Sequence, residues 1–149
     1  MIIERSTDYD ALRSIMTNPE IWDAITNDGC DVETWQPEQD RMYLLGSIEG
    51  EYVGVFVIHM SDIGIYQCHV QVLPSMRKLY AIEFGKMVIN WVWKNTEINK
   101  LFALIPDIYP NVKNFSELQG FHQEGLITKS FIKNGSLCSQ WLMTIERGD

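Results

Sequence analysis

The sequence has few cysteines and little positive charge. Cys30, Cys68 and Cys138 are far apart and form no Cys-x-x-Cys pair, which argues against a disulfide framework and against a zinc site. Twelve Lys and Arg stand against 20 Asp and Glu, so the formal net charge is −8. Nucleic acids and anionic lipid surfaces are bound mainly through clustered basic residues. We therefore expect no metal, no nucleic acid and no membrane among the partners.

Long apolar runs and linker-like segments are also missing. The most apolar stretches, residues 52–60 and 87–93, are far shorter than the ~20 residues needed to cross a bilayer. Glu4 and Asp8 interrupt the region where an export signal would lie. No Gly-, Ser- or Pro-rich stretch divides the chain. For 149 residues of which 46% are hydrophobic, we expect one domain over residues 1–149, and a cytoplasmic location where thiols stay reduced.

The spacing of apolar residues predicts alternating strands and helices. We expect the order β-α-α-β-β-β-α-β-α-β-β, because runs of period 2 alternate with runs of helical spacing. Ser6 or Thr7 is expected to cap the first helix. Gly50 and the Asn134-Gly135 pair are expected to turn two hairpins. The predicted strands cover residues 1–4, 42–48, 52–60, 63–73, 100–105, 121–132 and 137–145.

The segment from His69 to Trp93 reads as a strand, a tight loop and a long helix. A loop that leads into a helix N-terminus leaves backbone N–H groups free to bind an anion, and a pyrophosphate suits such a site. Arg77 and Lys78 are expected in this loop, where they would add positive charge. The alternative is a loop whose two cations are simply solvated.

Several ordered motifs resemble the GNAT superfamily of acetyl-CoA-dependent N-acetyltransferases, over essentially the whole chain. Residues 72–77, VLPSMR, resemble the V-x-P-x-x-R that ends the family's fourth strand. Residues 80–83, YAIE, resemble the Y-A-x-E of the branch that includes ribosomal-protein N-terminal acetyltransferases. Asn111, Glu117 and the residues GF and EG at 120–121 and 124–125 resemble that branch's ending. The resemblance implies an α/β fold with a mixed sheet of about seven strands, splayed into a V-shaped cleft and flanked by about four helices.

The resemblance also implies an activity, the transfer of acetyl from acetyl-CoA to a primary amine of a protein or a polyamine. A backbone N–H near Val70 to Val72 would polarise the thioester carbonyl. In the phosphate loop, Met76 stands where the family has Gln or Arg and Leu79 where it has glycine, while Ala81 fits the pattern. The residues implied to bind acetyl-CoA are Val70, Val72, Arg77, Lys78, Leu79, Tyr80, Ala81 and Asn111.

Three side chains are candidates for proton transfer. His69 lies on the fourth strand, where the family usually carries its base, and an imidazole can accept a proton near neutral pH. Tyr66 lies on the same strand. Tyr109 precedes the last helix, which has no tyrosine at Phe115 or Ser116 where the family often places its acid. If Val70 and Val72 face the cofactor, the period of 2 sends His69 to the opposite face unless a bulge intervenes.

The segment from residue 18 to residue 40 carries seven acids and no Lys or Arg. The family places its acceptor site in this region, so Asp23 and Asp31 are candidates to attract a cationic amine. Trp22 and Trp35 would pack its methylenes or form cation–π contacts. The alternative is a solvated loop whose two tryptophans anchor it to the core.

A non-enzymatic role is a second hypothesis. The missing loop glycines and the absence of a carboxylate on the fourth strand would suit an interaction protein built on the same fold, because one fold hosts many functions. The chain is also similar to small acetyltransferase-like proteins found among the virion assembly genes of tailed phages. Binding of acetyl-CoA separates this hypothesis from the enzyme.

Overall fold

A computed structural model describes residues 1–149 as seven strands and four helices, in the order that the sequence predicts. The strands are β1 (Ile2–Arg5), β2 (Arg41–Ile48), β3 (Glu51–Asp62), β4 (Ile65–Val72), β5 (Lys100–Pro106), β6 (His122–Lys133) and β7 (Ser136–Glu146). The helices are α1 (Tyr9–Met16), α2 (Pro19–Ile25), α3 (Pro74–Asn95) and α4 (Pro110–Leu118). No helix is both long and apolar enough to span a membrane.

One mixed sheet contains all seven strands, in the order β1-β2-β3-β4-β5-β7-β6. Every neighbouring pair is antiparallel except β4 and β5, which are parallel and joined through α3. The two predicted hairpins are confirmed. Their turns hold Glu49-Gly50 and Asn134-Gly135, and all four residues have positive φ, as two-residue turns that match strand twist require.

Helices cover both faces of the sheet, and β3 is therefore buried on both. Phe56 and Ile58 pack into the cluster that contains α3 residues such as Phe84. Val55 and Val57 pack instead into the cluster formed by α1 and α2, which includes Leu12. This two-sided burial fixes the faces of β4 as well, because β4 pairs along almost its whole length with β3.

Two predicted helix starts are wrong. Asp8, and not Ser6 or Thr7, caps α1: its carboxylate accepts a hydrogen bond from the Ala11 N–H at 3.1 Å, while the Ser6 hydroxyl accepts one from the Asp8 N–H. The larger difference concerns α3. This helix begins at Pro74, directly after β4, so the loop predicted around Arg77 is the first part of a helix.

Candidate functional site

The sheet opens between its two parallel strands. β4 and β5 pair only at their beginnings, where Ile65, Tyr66 and Gln67 face Lys100, Leu101 and Phe102. From Cys68 onward the backbone of β4 has no strand partner on its β5 side. The strands diverge around a cavity of about 230 Å³, the cleft, which is lined by β4, β5, α3 and α4. The V-shaped opening implied by the resemblance is thus confirmed.

A second cavity of about 410 Å³, the side cavity, lies on the α2 side of the sheet. Its walls include Trp22, Asp31, Trp35, Tyr43 and Val57. The side chains of His69 and Gln71 line the side cavity and the cleft alike, as does Ile25. These residues therefore lie at the junction of the two cavities.

Strand alternation places the β4 side chains as expected. Val70 and Val72 pack on the α3 side of the sheet, while His69 pairs with Val57, whose side chain belongs to the opposite cluster. Gln67, His69 and Gln71 form a polar stripe on that face. The prediction that His69 lies on the face opposite Val70 and Val72 is correct, and His69 also lines the cleft.

The environment of His69 favours its neutral form. Burial lowers the pKa of His69 to about 4, and the positive charge of Arg41 and the neighbouring His59 act in the same direction. The rings of His59 and His69 are stacked, with centroids 5.8 Å apart and planes at 16°. Burial also lowers the pKa of His59, whose buried Nδ1 has no hydrogen-bond partner. At neutral pH His69 therefore holds a free nitrogen lone pair and can accept a proton, but its lowered pKa makes it a weaker base than an ordinary imidazole.

The two candidate tyrosines occupy different surroundings. Tyr109 lines the cleft just before α4, and burial together with the charge of Asp23 raises the pKa of its phenol above 10.0. The phenol is therefore protonated at neutral pH and can donate a proton. Tyr66 packs against the core cluster on the α3 side, where β4 and β5 are still paired. Tyr66 and His69 lie on opposite faces, and Tyr66 does not line the cleft.

The predicted phosphate loop is absent because residues 74–81 are helical. Pro74 occupies the first turn of α3, where proline fits a helix best, and none of the following seven residues is a glycine that would end it. Arg77, Lys78 and Leu79 are exposed on the helix surface, and Tyr80 and Ala81 pack partly against the core. The Arg77 guanidinium donates to the Val72 carbonyl at 3.0 Å and lies 3.8 Å from the Glu20 carboxylate.

The acidic segment is anchored to the rest of the molecule by cations. Arg13 of α1 donates hydrogen bonds to the carbonyls of Trp35 and Val32, the latter at 2.9 Å. Trp22, Asp31 and Trp35 lie in the wall of the side cavity, while Asp23 does not line it. Asp23 is 84% exposed, and its carboxylate lies 3.6 Å from Lys133.

Lys133 belongs to the β6–β7 hairpin and is only 8% exposed. Its ammonium group donates to the carbonyls of Asp23 and Thr26, the latter at 2.8 Å, at the end of α2. Asp28 completes the contact, because its carboxylate accepts hydrogen bonds from the backbone of residues 134 and 135 at 2.9 and 2.8 Å. These bonds hold the pKa of Asp28 below its ordinary value. The hairpin thus holds one wall of the side cavity.

Several residues that line the two cavities were not predicted from the sequence. Gln71 and Gln67 share the face of His69, and the repeat of polar residues at every second position of β4 is the signal that could have found them. Gln119 and Arg41 lie in other elements, and no local pattern marks them. Asn111 is exposed in the first turn of α4 and does not line the cleft. No group of three or more His, Cys, Asp or Glu side chains is arranged to hold a metal ion.

Solved structures with the same architecture include acetyltransferases. The spermidine N-acetyltransferase from Vibrio cholerae in complex with CoA and spermine has a TM-score of 0.81 and 12% identity, with 98% of this chain and 95% of that chain covered. The GNAT-family acetyltransferase from Bacillus anthracis has a TM-score of 0.63 and 17% identity, with coverage of 74% and 68%. These likenesses show a GNAT-type fold, as the sequence motifs implied.

At the level of sequence, no curated protein matches the chain. One family of sequences, described as protein of unknown function (DUF2824), matches residues 3–149. That match spans both cavities, the polar stripe of β4 and the hairpin that holds the acidic segment. The chain therefore belongs to the DUF2824 family, and its fold is that of the GNAT acetyltransferases.

Proposed function

We propose that this protein transfers an acetyl group from acetyl-CoA to a primary amine. The observation that carries the proposal is the position of His69, a neutral imidazole at the junction between an open cleft and an acidic, aromatic side cavity. Support also comes from the GNAT-type fold, since the similar structures from Vibrio cholerae and Bacillus anthracis are acetyltransferases.

The cleft suits the acyl donor. A thioester at the end of a flexible arm enters between β4 and β5, where the unpaired backbone of β4 near Val70 to Val72 offers N–H groups to the carbonyl oxygen. Holding both reactants in place supplies much of the rate, because well-oriented groups reach effective molarities of about 10⁵ to 10⁸ M. Side chains then have mainly protons to move.

His69 and Tyr109 divide the proton transfers. His69 accepts the proton that the amine loses as its nitrogen forms the new amide bond. Tyr109, protonated and lining the same cleft, donates a proton to the sulfur as the thioester C–S bond breaks. The products are an acetylated amine and a free thiol, and proton exchange with solvent restores both side chains.

The acceptor is a cationic amine. Asp31 and Glu38 line the side cavity, but Glu38 is paired with Arg41 at 3.0 Å, so Asp31 is the carboxylate left to attract positive charge. Trp22 and Trp35 offer aromatic surface to methylene groups and cations. The solved Vibrio cholerae enzyme carries spermine in its complex, which supports a polyamine as the first compound to test here. The amine must lose its ammonium proton to solvent before it attacks, and the neutral His69 then accepts the second proton as the amide bond forms.

The diphosphate of the donor would meet the first turn of α3 and not a glycine-rich loop. Beyond the first turn, helical N–H groups are used inside the helix and cannot bind an anion. Positive charge at this end comes from Arg77 and Lys78, and the helix dipole adds to it. This arrangement makes the binding of acetyl-CoA the step on which the proposal depends.

A transfer assay tests the proposal. Purified protein is incubated with acetyl-CoA and, separately, spermidine, a lysine peptide blocked at its N-terminus and a peptide with a free N-terminus, and free thiol release and product mass are followed. We expect acetylation of at least one amine, and its loss in His69→Ala. If no amine is acetylated while the wild-type protein is folded and binds no acetyl-CoA, the interaction-protein hypothesis replaces this one.

A further inference from the structure

Arg41 is the only lysine or arginine that lines the side cavity. Its side chain is 29% exposed, and its guanidinium Nε donates to the Glu38 carboxylate at 3.0 Å. The two terminal nitrogens of the guanidinium make no hydrogen bond within the protein. A guanidinium carries five N–H donors in a planar fork that matches a carboxylate. Most of the donors of Arg41 are therefore available to a ligand in this cavity.

Tyr43 places a second donor beside Arg41. The two residues alternate along β2, so their side chains share one face, and Tyr43 is only 4% exposed. Its phenol oxygen accepts a hydrogen bond from the Glu38 backbone N–H at 2.9 Å, while its own proton has no acceptor within the protein. Burial raises the pKa of this phenol, so the proton stays in place at neutral pH. A buried donor without an acceptor is costly, and an anion in the cavity would remove that cost.

The register of the sheet relates these donors to His69. Tyr43 pairs with Val57, and Val57 pairs with His69. Two strand spacings separate Tyr43 from His69, which puts their Cα atoms ~10 Å apart. Arg41 lies at the next position on the same face of β2, and all three side chains line the side cavity. A short chain of carbons can therefore join an amine at His69 to a carboxylate at Arg41 and Tyr43.

The charges in the cavity wall suit a molecule with both of these groups. Asp31 and Glu38 are negative and Arg41 is positive, while His69 is neutral because burial lowers its pKa to about 4. An amino carboxylate finds an opposite charge for each of its ends. A polyamine has no group that Arg41 would attract. The volume of about 410 Å³ is typical of small-molecule pockets, which hold about 300 to 1,000 Å³.

We propose that Arg41 and Tyr43 bind a carboxylate of the acceptor, and that the side cavity selects a small amino carboxylate over a polyamine. The inference rests on the proposed function, because it names the class of amine that is acetylated. Arg41 and Tyr43 move no proton. They hold the far end of the acceptor and so position its nitrogen beside His69, while the negative charge of Glu38 limits how tightly the anion binds.

The test compares amino carboxylates with their amides, which lack the negative charge. β-Alanine, γ-aminobutyrate and ε-aminohexanoate are each assayed against the matching amide at saturating acetyl-CoA, with spermidine in parallel. We expect kcat/KM for the preferred carboxylate to exceed that of its amide about 10 to 100-fold, as charge-assisted hydrogen bonds allow. Arg41→Gln should bring this ratio close to one, mainly through KM. Arg5→Gln, which removes an exposed arginine of β1, is the control and should leave the ratio unchanged.

Two further variants change the ratio in opposite directions. Glu38→Gln removes the negative charge beside Arg41 and should raise the ratio of carboxylate to amide. Tyr43→Phe removes one donor and should lower the ratio several-fold. Arg41→Gln also alters the surroundings of His69, but that change acts on both acceptors alike and cancels in the ratio.

The outcomes separate this inference from the proposed function. A ratio near one in the wild-type protein, a ratio that Arg41→Gln leaves unchanged, or a preference for spermidine overturns the inference alone. If no amine is acetylated, the proposed function fails, and calorimetric Kd values for the three amino carboxylates decide the inference. Weaker binding by Arg41→Gln then supports a site for amino carboxylates, and equal or absent binding overturns it. If Arg41→Gln does not fold, Arg41→Lys replaces it and should lower the ratio, because a lysine lacks the planar fork.

Discussion

The clearest energetic consequence of the structure concerns His69 and acid. Because burial, Arg41 and His59 lower the pKa of His69 from 6.5 to about 4, the folded protein resists protonation that the unfolded chain accepts. Between about pH 4 and pH 6.5 the unfolded state binds more protons than the folded state, so the free energy of unfolding falls as pH falls. His69→Gln removes the titrating group and keeps a polar side chain at the junction of the two cavities.

The size of the effect follows from the difference in pKa. A drop from 6.5 to about 4 corresponds to about 3 kcal/mol of unfolding free energy. This contribution is fully present above pH 6.5 and is lost progressively as pH falls toward 4. Relative to the variant, the wild-type protein should lose most of these ~3 kcal/mol between pH 7 and pH 4.5.

Urea unfolding at pH 7 and at pH 4.5 measures the difference. Carboxylates titrate in both proteins, so comparing the two pH dependences isolates His69. Arg41→Gln provides a second check, because loss of its charge raises the pKa of His69 and narrows the pH range of the effect. If wild type and His69→Gln lose the same stability, within about 0.5 kcal/mol, then the fold does not lower the pKa of His69 and its buried, neutral environment is contradicted.

Three further predictions concern catalysis and architecture. His69→Ala should lower turnover about 10² to 10⁴-fold with acetyl-CoA affinity nearly unchanged, as measured by steady-state kinetics and calorimetry. Unaltered turnover would show that His69 is not the base. Lys133→Met should lower the free energy of unfolding by about 2 kcal/mol in urea, because two charge-assisted hydrogen bonds at the end of α2 are lost. Lys129→Met on the same hairpin is the control and should change the free energy of unfolding very little. Equal losses in the two variants would contradict this role of Lys133. Gly54→Ala should lower the free energy of unfolding by at least about 2 kcal/mol, because the new Cβ would lie 2.3 Å from the Gln71 carbonyl oxygen. Gly125→Ala, with open space around the new Cβ, is the control and should be tolerated. Similar melting temperatures of the two variants would argue against this close contact between β3 and β4.

Local patterns predicted the strands, their order and the faces of β4. Alternation places His69 opposite Val70, and positive φ at Gly50 and Gly135 turns the two hairpins. These features depend on near neighbours in the chain, where the period of 2 and the needs of tight turns leave few choices. That His69 also lines the cleft was not predicted, because it depends on the divergence of β4 from β5 and not on periodicity.

The start of α3 at Pro74 contradicts the tight loop predicted around Arg77, although a proline at the first helical position and a run without glycine are local signals that favour helix. Two contacts, by contrast, could not be read from local sequence. The contact between Lys133 and the Thr26 carbonyl joins residues 107 positions apart. Gln119 and Gly85 meet in the same way, through packing of two helices. Such contacts depend on tertiary structure, which no short motif encodes.

Binding of acetyl-CoA is the most direct test of the proposal that the open cleft serves an acyl donor. A ligand that binds only the folded state at a hundredfold excess over Kd adds about 2.7 kcal/mol. For a domain of this size that raises Tm by something like 5 to 10 °C. A thermal-shift titration should show this rise with acetyl-CoA and a much smaller one with ATP, which has phosphates but no pantetheine arm. An acetyl-CoA shift no larger than the ATP shift at millimolar concentration would contradict the account.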